Sequence, residues 1–384
     1  MEDWQHGGFG LYLHWPFCAS KCPYCDFNSH VASEIDQDAW ASAYLTEIDR
    51  IAVETEGRVL NTVFFGGGTP SLMSPDLVAA LIERIHSNWR VANDLEMTLE
   101  ANPGSVEAER FKGFAEAGVN RLSMGMQALN DTDLRRLGRL HSAAEGRAAF
   151  DIARSAFERV SFDLIYARQF QTLSAWKAEL REALGMAVDH LSLYQLTIEP
   201  GTAFGARAAK GGLKGLPEDE LSADMYLITQ DICTDYGMEG YEISNHARED
   251  AASRHNLIYW RGGDYAGIGP GAHGRLTLGG RRFATETPLS PDHWLQQVNS
   301  LGHGEFPRSE VPRDEQAMEY LMMGLRLSEG IDLQRYQDLA GDPLDVNRVG
   351  ELDEQGLLAL SGTRLRATRQ GRPVLNALLR SLVC

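Results

Sequence analysis

Three of the five cysteines stand within eight residues, at Cys18, Cys22 and Cys25. Their spacing, Cys-x3-Cys-x2-Cys, falls in a loop after a short apolar run. A structural zinc site needs four ligands, so His14 or His30 would have to complete it. A redox-active Cys22-Cys25 pair would leave Cys18 without a role. A four-iron cluster on three thiolates uses all three cysteines and leaves one iron open for another molecule.

Composition narrows the partners and the cellular compartment that we expect for this chain. The formal net charge of -18 opposes polyphosphate binding, so we expect no nucleic-acid partner. The first residues lack a basic or apolar leader, and no run approaches 18 uninterrupted apolar residues, so we expect no integral membrane segment. An odd cysteine count is a poor disulfide framework. A cytoplasmic chain with free thiols is therefore expected.

The first 200 residues alternate short β-rich runs with longer amphipathic ones, which predicts an α/β fold. The strand candidates are Gly10 to His14, Asn61 to Phe65, Leu95 to Glu100, Arg121 to Met126, Val160 to Tyr166 and His190 to Thr197. The helix candidates are Asp38 to Val53, Ser74 to Trp89, Val106 to Ala117, Ser142 to Phe157 and Leu173 to Met186.

Polar and glycine residues gather where these strands end. The second strand leads into Gly66-Gly67-Gly68-Thr69, the third ends at Glu100, the fourth ends at Gln127, and the fifth carries Asp163. Parallel sheets and (β/α) barrels build their sites at the carboxyl ends of strands. We therefore expect these residues and the cysteines to line one cavity.

Three regions are predicted, with bounds at 1–205, 206–305 and 306–384. The middle region should contain a helix from Pro217 to Tyr236 and a strand from Gly240 to Ile243. It also carries the polar and aromatic run His255-Asn256-Leu257-Ile258-Tyr259-Trp260. The last region is predicted to be a small, mainly helical domain that begins with the amphipathic run Asp314 to Leu327.

The cysteine loop, together with the strand before it and the βα series after it, resembles the radical S-adenosylmethionine (SAM) superfamily. The resemblance implies a partial (β/α)6 TIM-like barrel, a 4Fe-4S cluster on Cys18, Cys22 and Cys25, and SAM bound to the open iron. Matched by register, the expected SAM-binding residues are Tyr12, Tyr24, Gly67, Gly68, Thr69, Glu100, Gln127, Arg139, Asp163, Leu196 and His273.

Within this superfamily the chain is similar to relatives of oxygen-independent coproporphyrinogen III oxidase. The oxidases have a fourth cysteine two places after the third, whereas this chain has Phe27. The His-Asn-x-x-Tyr-Trp run instead resembles the HemW family of heme chaperones, which implies heme contacts by His255, Tyr259 and Trp260. Composition alone would make these three a capped histidine and core aromatics. The segment from Ala167 to Gln171 departs from the Gly-Leu-Pro-Gly-Gln that relatives commonly carry.

The function expected from this resemblance is a heme chaperone that delivers heme to an acceptor protein. The first alternative is a coproporphyrinogen oxidase, for which a reductant would donate the electron that cleaves SAM. An alternative of another class is a structural metal-binding module without cofactor chemistry.

Overall fold

The computed structural model describes residues 2–32 and 34–383. Six parallel strands, β1, β4, β5, β6, β7 and β8, form its centre in that spatial order. The strands of the chain are β1 (Phe9–Trp15), β2 (Phe17–Cys18), β3 (His30–Val31), β4 (Val59–Gly67), β5 (Arg90–Ala101), β6 (Arg121–Gln127), β7 (Arg159–Tyr166), β8 (His190–Gln195), β9 (Glu239–Gly240), β10 (Asn245–Ala247), β11 (Asp264–Ile268), β12 (His273–Leu278), β13 (Arg281–Glu286), β14 (Ser309–Glu310), β15 (Ile331–Asp332), β16 (Leu358–Ser361) and β17 (Arg364–Ala367).

Helices follow the central strands, as the parallel crossovers require. The helices are α1 (Gln37–Glu54), α2 (Pro75–Asn88), α3 (Ser105–Ala108), α4 (Phe111–Ala117), α5 (Asp131–Arg136), α6 (Ala143–Ala156), α7 (Leu173–Met186), α8 (Ala203–Ala209), α9 (Asp219–Asp235), α10 (Arg254–Trp260), α11 (Pro291–Leu301), α12 (Arg313–Gly324), α13 (Leu333–Ala340), α14 (Val346–Glu354) and α15 (Leu375–Val383). None of the helices within the described ranges is both long and apolar enough to cross a bilayer.

The α/β barrel fold and all six predicted central strands are confirmed. Their apolar runs are buried on both faces, as in β1, where six of the seven residues are buried. The sheet also grows at both edges: β11 to β14 continue it beyond β1, and β10 and β9 continue it beyond β8. The barrel strands therefore belong to a larger sheet.

Two local predictions were wrong. The single helix predicted from Val106 to Ala117 is two helices, α3 and α4, with Arg110 between them donating hydrogen bonds to the carbonyls of Ser71 and Leu72. The strand predicted from Gly240 to Ile243 stops at Gly240. The Glu242 carboxylate accepts hydrogen bonds from the backbone N–H of Ser244 and the side chain of Asn245, which closes a turn there.

The C-terminal part has a hydrophobic core of its own, built from side chains between Ala317 and Leu382. It is mainly helical, as expected, but it also contains the three-stranded sheet β15-β17-β16. These strands are two to four residues long, too short to show a clear alternating pattern in the sequence.

A buried charge cluster fastens β11 to its neighbours. Asp264 is fully buried and accepts hydrogen bonds from Arg58 at 2.8 Å and from Arg282 at 3.0 Å. We expect Asp264→Asn to lower the free energy of unfolding by about 3 kcal/mol or more, because it leaves two largely buried guanidinium groups without a counter-charge. Urea denaturation measures this change.

The matched control is Asp224→Asn, which changes an exposed aspartate on α9. It should alter stability by less than about 0.5 kcal/mol. If Asp264→Asn changes the free energy of unfolding as little as Asp224→Asn does, the buried cluster does not hold the sheet together as described.

Candidate functional site

A cavity of about 140 Å³ lies at the carboxyl ends of the central strands. The cysteine loop after β1 covers it, and the ends of β4, β5, β6 and β7 form the rest of its wall. The predicted site residues that line it are Cys18, Cys22, Tyr24, Cys25, Gly67, Gly68, Thr69, Glu100, Gln127, Arg139 and Asp163. The structure therefore brings residues from six separate segments to one place.

The three thiols are free and partly exposed to the cavity. Thr69 Oγ1 donates to Cys18 Sγ at 3.3 Å, and Arg139 Nη1 donates to Cys22 Sγ at 3.3 Å. Burial raises the pKa values of Cys18 and Cys25, so without a metal these groups favour the thiol form. Metal binding at this loop should accordingly release protons.

The glycines after β4 are required by close packing. A Cβ at Gly67, whose φ is +111°, would lie 2.8 Å from the His14 ring. A Cβ at Gly68 would lie 2.7 Å from the carbonyl oxygen of Phe17. The Gly67 N–H donates to the Glu100 carboxylate at 3.3 Å. Any larger residue here would push the cysteine loop off the sheet.

Glu100 and Asp163 are two neighbouring carboxyl groups in the cavity wall, and neither forms an ion pair within the described part of the chain. Burial, and then the nearby Asp163, raise the pKa of Glu100 to about 8. Burial also raises the pKa of Asp163 to about 6, against a hydrogen bond from Ser192 and the charges of Arg121 and Arg139. A cationic group in the cavity would favour the ionised form of both.

Asn102 was not among the predicted site residues. Its Oδ1 accepts from Arg139 Nη2 at 2.6 Å, and its Nδ2 donates to Thr69 Oγ1 at 3.1 Å. It thus joins the two side chains that touch Cys22 and Cys18. The sequence did offer a sign of its role, because Asn102 lies only two residues after Glu100. It therefore follows the same strand to the same edge of the sheet.

The divergent segment from Ala167 to Gln171 follows β7 and packs against residues that line the cavity. Ala167 has φ +57°, a conformation that glycine adopts more easily. The Arg168 side chain is buried and forms ion pairs with Asp133 at 2.9 Å and with Glu179. It also donates to the carbonyl of Gln127, itself at φ +68°. Arg168, which stands where relatives commonly carry leucine, therefore does not line the cavity.

Three predicted SAM contacts do not line the cavity. Tyr12 lies inside the barrel, where its hydroxyl hydrogen-bonds with His14 Nδ1 at 3.1 Å. Leu196 packs in the small cluster that also contains Tyr24. The side chain of His273, at the start of β12, is 59% exposed. Tyr12 and Leu196 contact other residues of the site, and the SAM contacts expected of Tyr12, Leu196 and His273 all stay predictions.

The predicted heme residues lie elsewhere, on α10. His255 is 1% exposed, and its ring hydrogen-bonds with Thr62 Oγ1 at 2.7 Å and with Tyr259 Oη at 2.5 Å. Trp260 lines a different cleft of about 860 Å³ between α10 and the C-terminal core. The structure therefore separates this motif from the cysteine cavity, with His255 pointing inward and Trp260 facing open space.

The cavity fits the cofactors that the radical SAM resemblance implies. No three metal-binding side chains within residues 2–32 and 34–383 converge on a single-ion site, whereas a cluster asks each thiol to bind a different iron. Glu100 and Asp163 form no ion pair within the described part of the chain, and SAM carries a positive sulfonium. When bound, the cluster would offer an iron to the amino and carboxylate groups of SAM, and the Glu100 carboxylate, which accepts from the Gly67 N–H, would be available to accept a hydrogen bond from that amino group.

We expect Glu100→Gln to change the pH dependence of stability of the cofactor-free protein. The folded chain keeps the Glu100 proton up to about pH 8, while the unfolded chain loses it near pH 4.5. Wild-type stability therefore falls as the pH rises through this window, and the variant lacks this loss. At pH 8.5 the variant should be the more stable protein by on the order of a few kcal/mol.

Denaturant unfolding at pH 5, 7 and 8.5 measures the difference. Glu158→Gln, at an exposed position, is the control and should follow the wild type at every pH. Parallel curves for wild type and Glu100→Gln would show that Glu100 ionises in the folded chain as easily as in water.

Known proteins resemble this chain in sequence. A family model described as "Radical SAM superfamily" matches residues 12–182, and one described as "HemN C-terminal domain" matches residues 311–374. The radical S-adenosyl methionine domain-containing protein 1, mitochondrial, of Bos taurus is 41% identical over 97% of this chain and 87% of its own. The heme chaperone HemW of Haemophilus influenzae is 37% identical over 96% of each chain.

A solved structure resembles the fold. The coproporphyrinogen III oxidase HemN from Escherichia coli, described as a radical SAM enzyme, superposes with a TM-score of 0.81 over 98% of this chain and 90% of its own. Its sequence identity is 22%, so this likeness concerns the fold. Relatives at 37 to 41% identity span nearly the whole chain. The cysteine cavity and these relatives together place the chain in the radical SAM superfamily, and it belongs with the HemW and radical S-adenosyl methionine domain-containing protein 1 group.

Proposed function

We propose that this protein binds heme and delivers it to an acceptor protein, with a 4Fe-4S cluster on Cys18, Cys22 and Cys25 and SAM beside it. The observation that carries the proposal is the full-length similarity to HemW, which covers the barrel, the α10 motif and the C-terminal core. A structural metal-binding module would have no use for the cationic-ligand cavity built around Glu100 and Asp163.

Phe27 favours the chaperone over an oxidase. It stands two places after Cys25, where the oxidases of this superfamily carry a fourth cysteine. Its side chain is 60% exposed and lies at the edge of the cysteine cavity. A thiol at this position would lie at the edge of the cofactor cavity. The exposed phenyl ring of Phe27 instead offers an apolar surface for contact with a ligand or a partner protein.

The α10 motif is our proposed heme contact. Burial, and then the charge of Arg121, lower the pKa of His255 to about 3. The imidazole is therefore neutral at physiological pH, which is the form that binds iron. His255 can reach a heme iron only if its ring leaves Thr62 and Tyr259. Trp260 can already offer its indole to a macrocycle from the cleft, although the Arg326 guanidinium covers one face of the ring at 4.7 Å.

The partners follow from this proposal. The acceptor is a protein that takes up heme, and an electron donor is needed only if SAM is cleaved. The three free thiols suit a reducing compartment, and we infer the cytoplasm for this chain, although the Bos taurus relative is mitochondrial by name.

We expect a heme titration to separate His255 from other histidines. The cluster-loaded wild type should give a Soret band that saturates with heme, and His255→Ala should shift that band and weaken heme binding by roughly tenfold or more, because an axial ligand is lost. The control, His293→Ala, changes an exposed histidine on α11 and should bind heme as the wild type does.

Two results would contradict the proposal. An unchanged Soret band and affinity in His255→Ala would remove His255 from the heme site. Turnover of coproporphyrinogen to protoporphyrinogen with SAM and a reductant would make the protein an oxidase despite Phe27. The absorbance of the bound cluster reports in each variant whether the barrel is intact.

A further inference from the structure

A further cavity lies away from the cysteine loop, between α9 and the sheet of the C-terminal core. Its volume is about 640 Å³. It borders β9, which is the last strand at its edge of the large sheet. None of its lining residues belongs to the cysteine cavity or to the α10 motif. The functions proposed above leave this cavity without a role.

Three side chains in its wall each have one shielded polar atom without a hydrogen-bond partner among the residues described. These atoms are Tyr226 Oη, Gln230 Nε2 and Arg372 Nη2. Tyr226 is only 8% exposed. All three atoms can donate hydrogen bonds, and a buried donor without an acceptor costs free energy. Their convergence on one cavity indicates a missing acceptor.

The cavity wall carries three arginines and three acids, namely Arg366, Arg369, Arg372, Asp231, Asp235 and Glu239. Arg372 forms no ion pair with any described residue, and its other terminal nitrogen donates only to the Gly240 carbonyl at 3.3 Å. Its charge is close enough to Tyr226 to lower the pKa of that phenol, against the larger raising effect of burial. Arg369 is paired with Asp231 at the rim. Arg372 is therefore a guanidinium of this wall that has no ion-pair partner among the described residues and keeps a shielded donor.

Gly240 leaves space for these donors to face one another. A Cβ at this position would lie 2.7 Å from Gln230 Oε1 and 3.4 Å from His246 Nε2. His246 is 1% exposed, and both of its ring nitrogens also lack partners in the described chain. A side chain at this position would displace the Gln230 amide, which glycine leaves in the cavity wall.

We propose that this cavity binds the carboxylate or phosphate group of a small ligand, held by Tyr226, Gln230 and Arg372. One water molecule accepts two hydrogen bonds, whereas an oxyanion accepts from all three donors and also meets the charge of Arg372. The cavity is far larger than one water, so the ligand extends beyond its anionic group. This binding site is additional to the heme and SAM sites.

The test is calorimetric titration of the cluster-loaded full chain with inorganic phosphate and, separately, with succinate, at constant ionic strength. Wild type should bind at least one probe. Tyr226→Phe removes only the hydroxyl and should weaken that binding roughly tenfold, as expected for a hydrogen bond to a charged group. Arg372→Gln should weaken it at least as much.

Tyr236→Phe is the matched control, since Tyr236 ends the same helix but is 43% exposed and does not line the cavity. It should bind the probe as the wild type does. Binding of phosphate alone would assign a phosphate ester, and binding of succinate alone a carboxylate. The proposal is overturned if neither probe binds wild type, or if Tyr226→Phe, folded by its melting temperature, binds as tightly as Tyr236→Phe.

Discussion

Two buried carboxyl groups that form no ion pair in the described part of the chain set the chemistry at the centre of this molecule. Glu100 ends β5 and Asp163 lies on β7, and both face the cavity under the cysteine loop. Their raised pKa values reflect the cost of burying negative charge, which the nearby charge of Arg121 offsets only in part. A ligand that brings its own positive charge recovers that cost. The parallel strands matter because they bring both groups to the same end of the barrel.

The cavity and the α10 motif are joined by an unbroken line of side chains inside the barrel. His14 hydrogen-bonds with the carbonyl of Asn28 in the cysteine loop and with the Tyr12 hydroxyl. The Tyr12 ring stacks near His255 at 6.3 Å, and His255 hydrogen-bonds with Tyr259. The predicted SAM contact Tyr12 is thus an interior side chain between the two sites. Its position gives the α10 motif, our proposed heme contact, a physical connection to the cysteine loop.

Much of this site could be predicted from the sequence because parallel strands place their ends together. Glu100, Gln127 and Asp163 each belong to a different strand. The alternation of strands and helices alone was therefore enough to predict that these residues lie close together. The environment of His255 could not be predicted, since its partner Thr62 is nearly two hundred residues away. The turn after Gly240 was missed because it depends on the side chain of Glu242 rather than on a glycine or proline signal. Side-chain hydrogen bonds between distant segments leave no periodic pattern in the sequence.

The central claim is that the cysteine loop holds an iron-sulfur cluster, and iron content after anaerobic reconstitution with iron and sulfide tests it most directly. Wild type should be brown with about four irons per chain. Cys233→Ala, which removes a buried thiol on α9 far from the loop, should retain them. Alanine at Cys18, Cys22 or Cys25 should lose most of the iron. A colourless wild type that holds only zinc, or equal iron in all of these variants, would contradict the account.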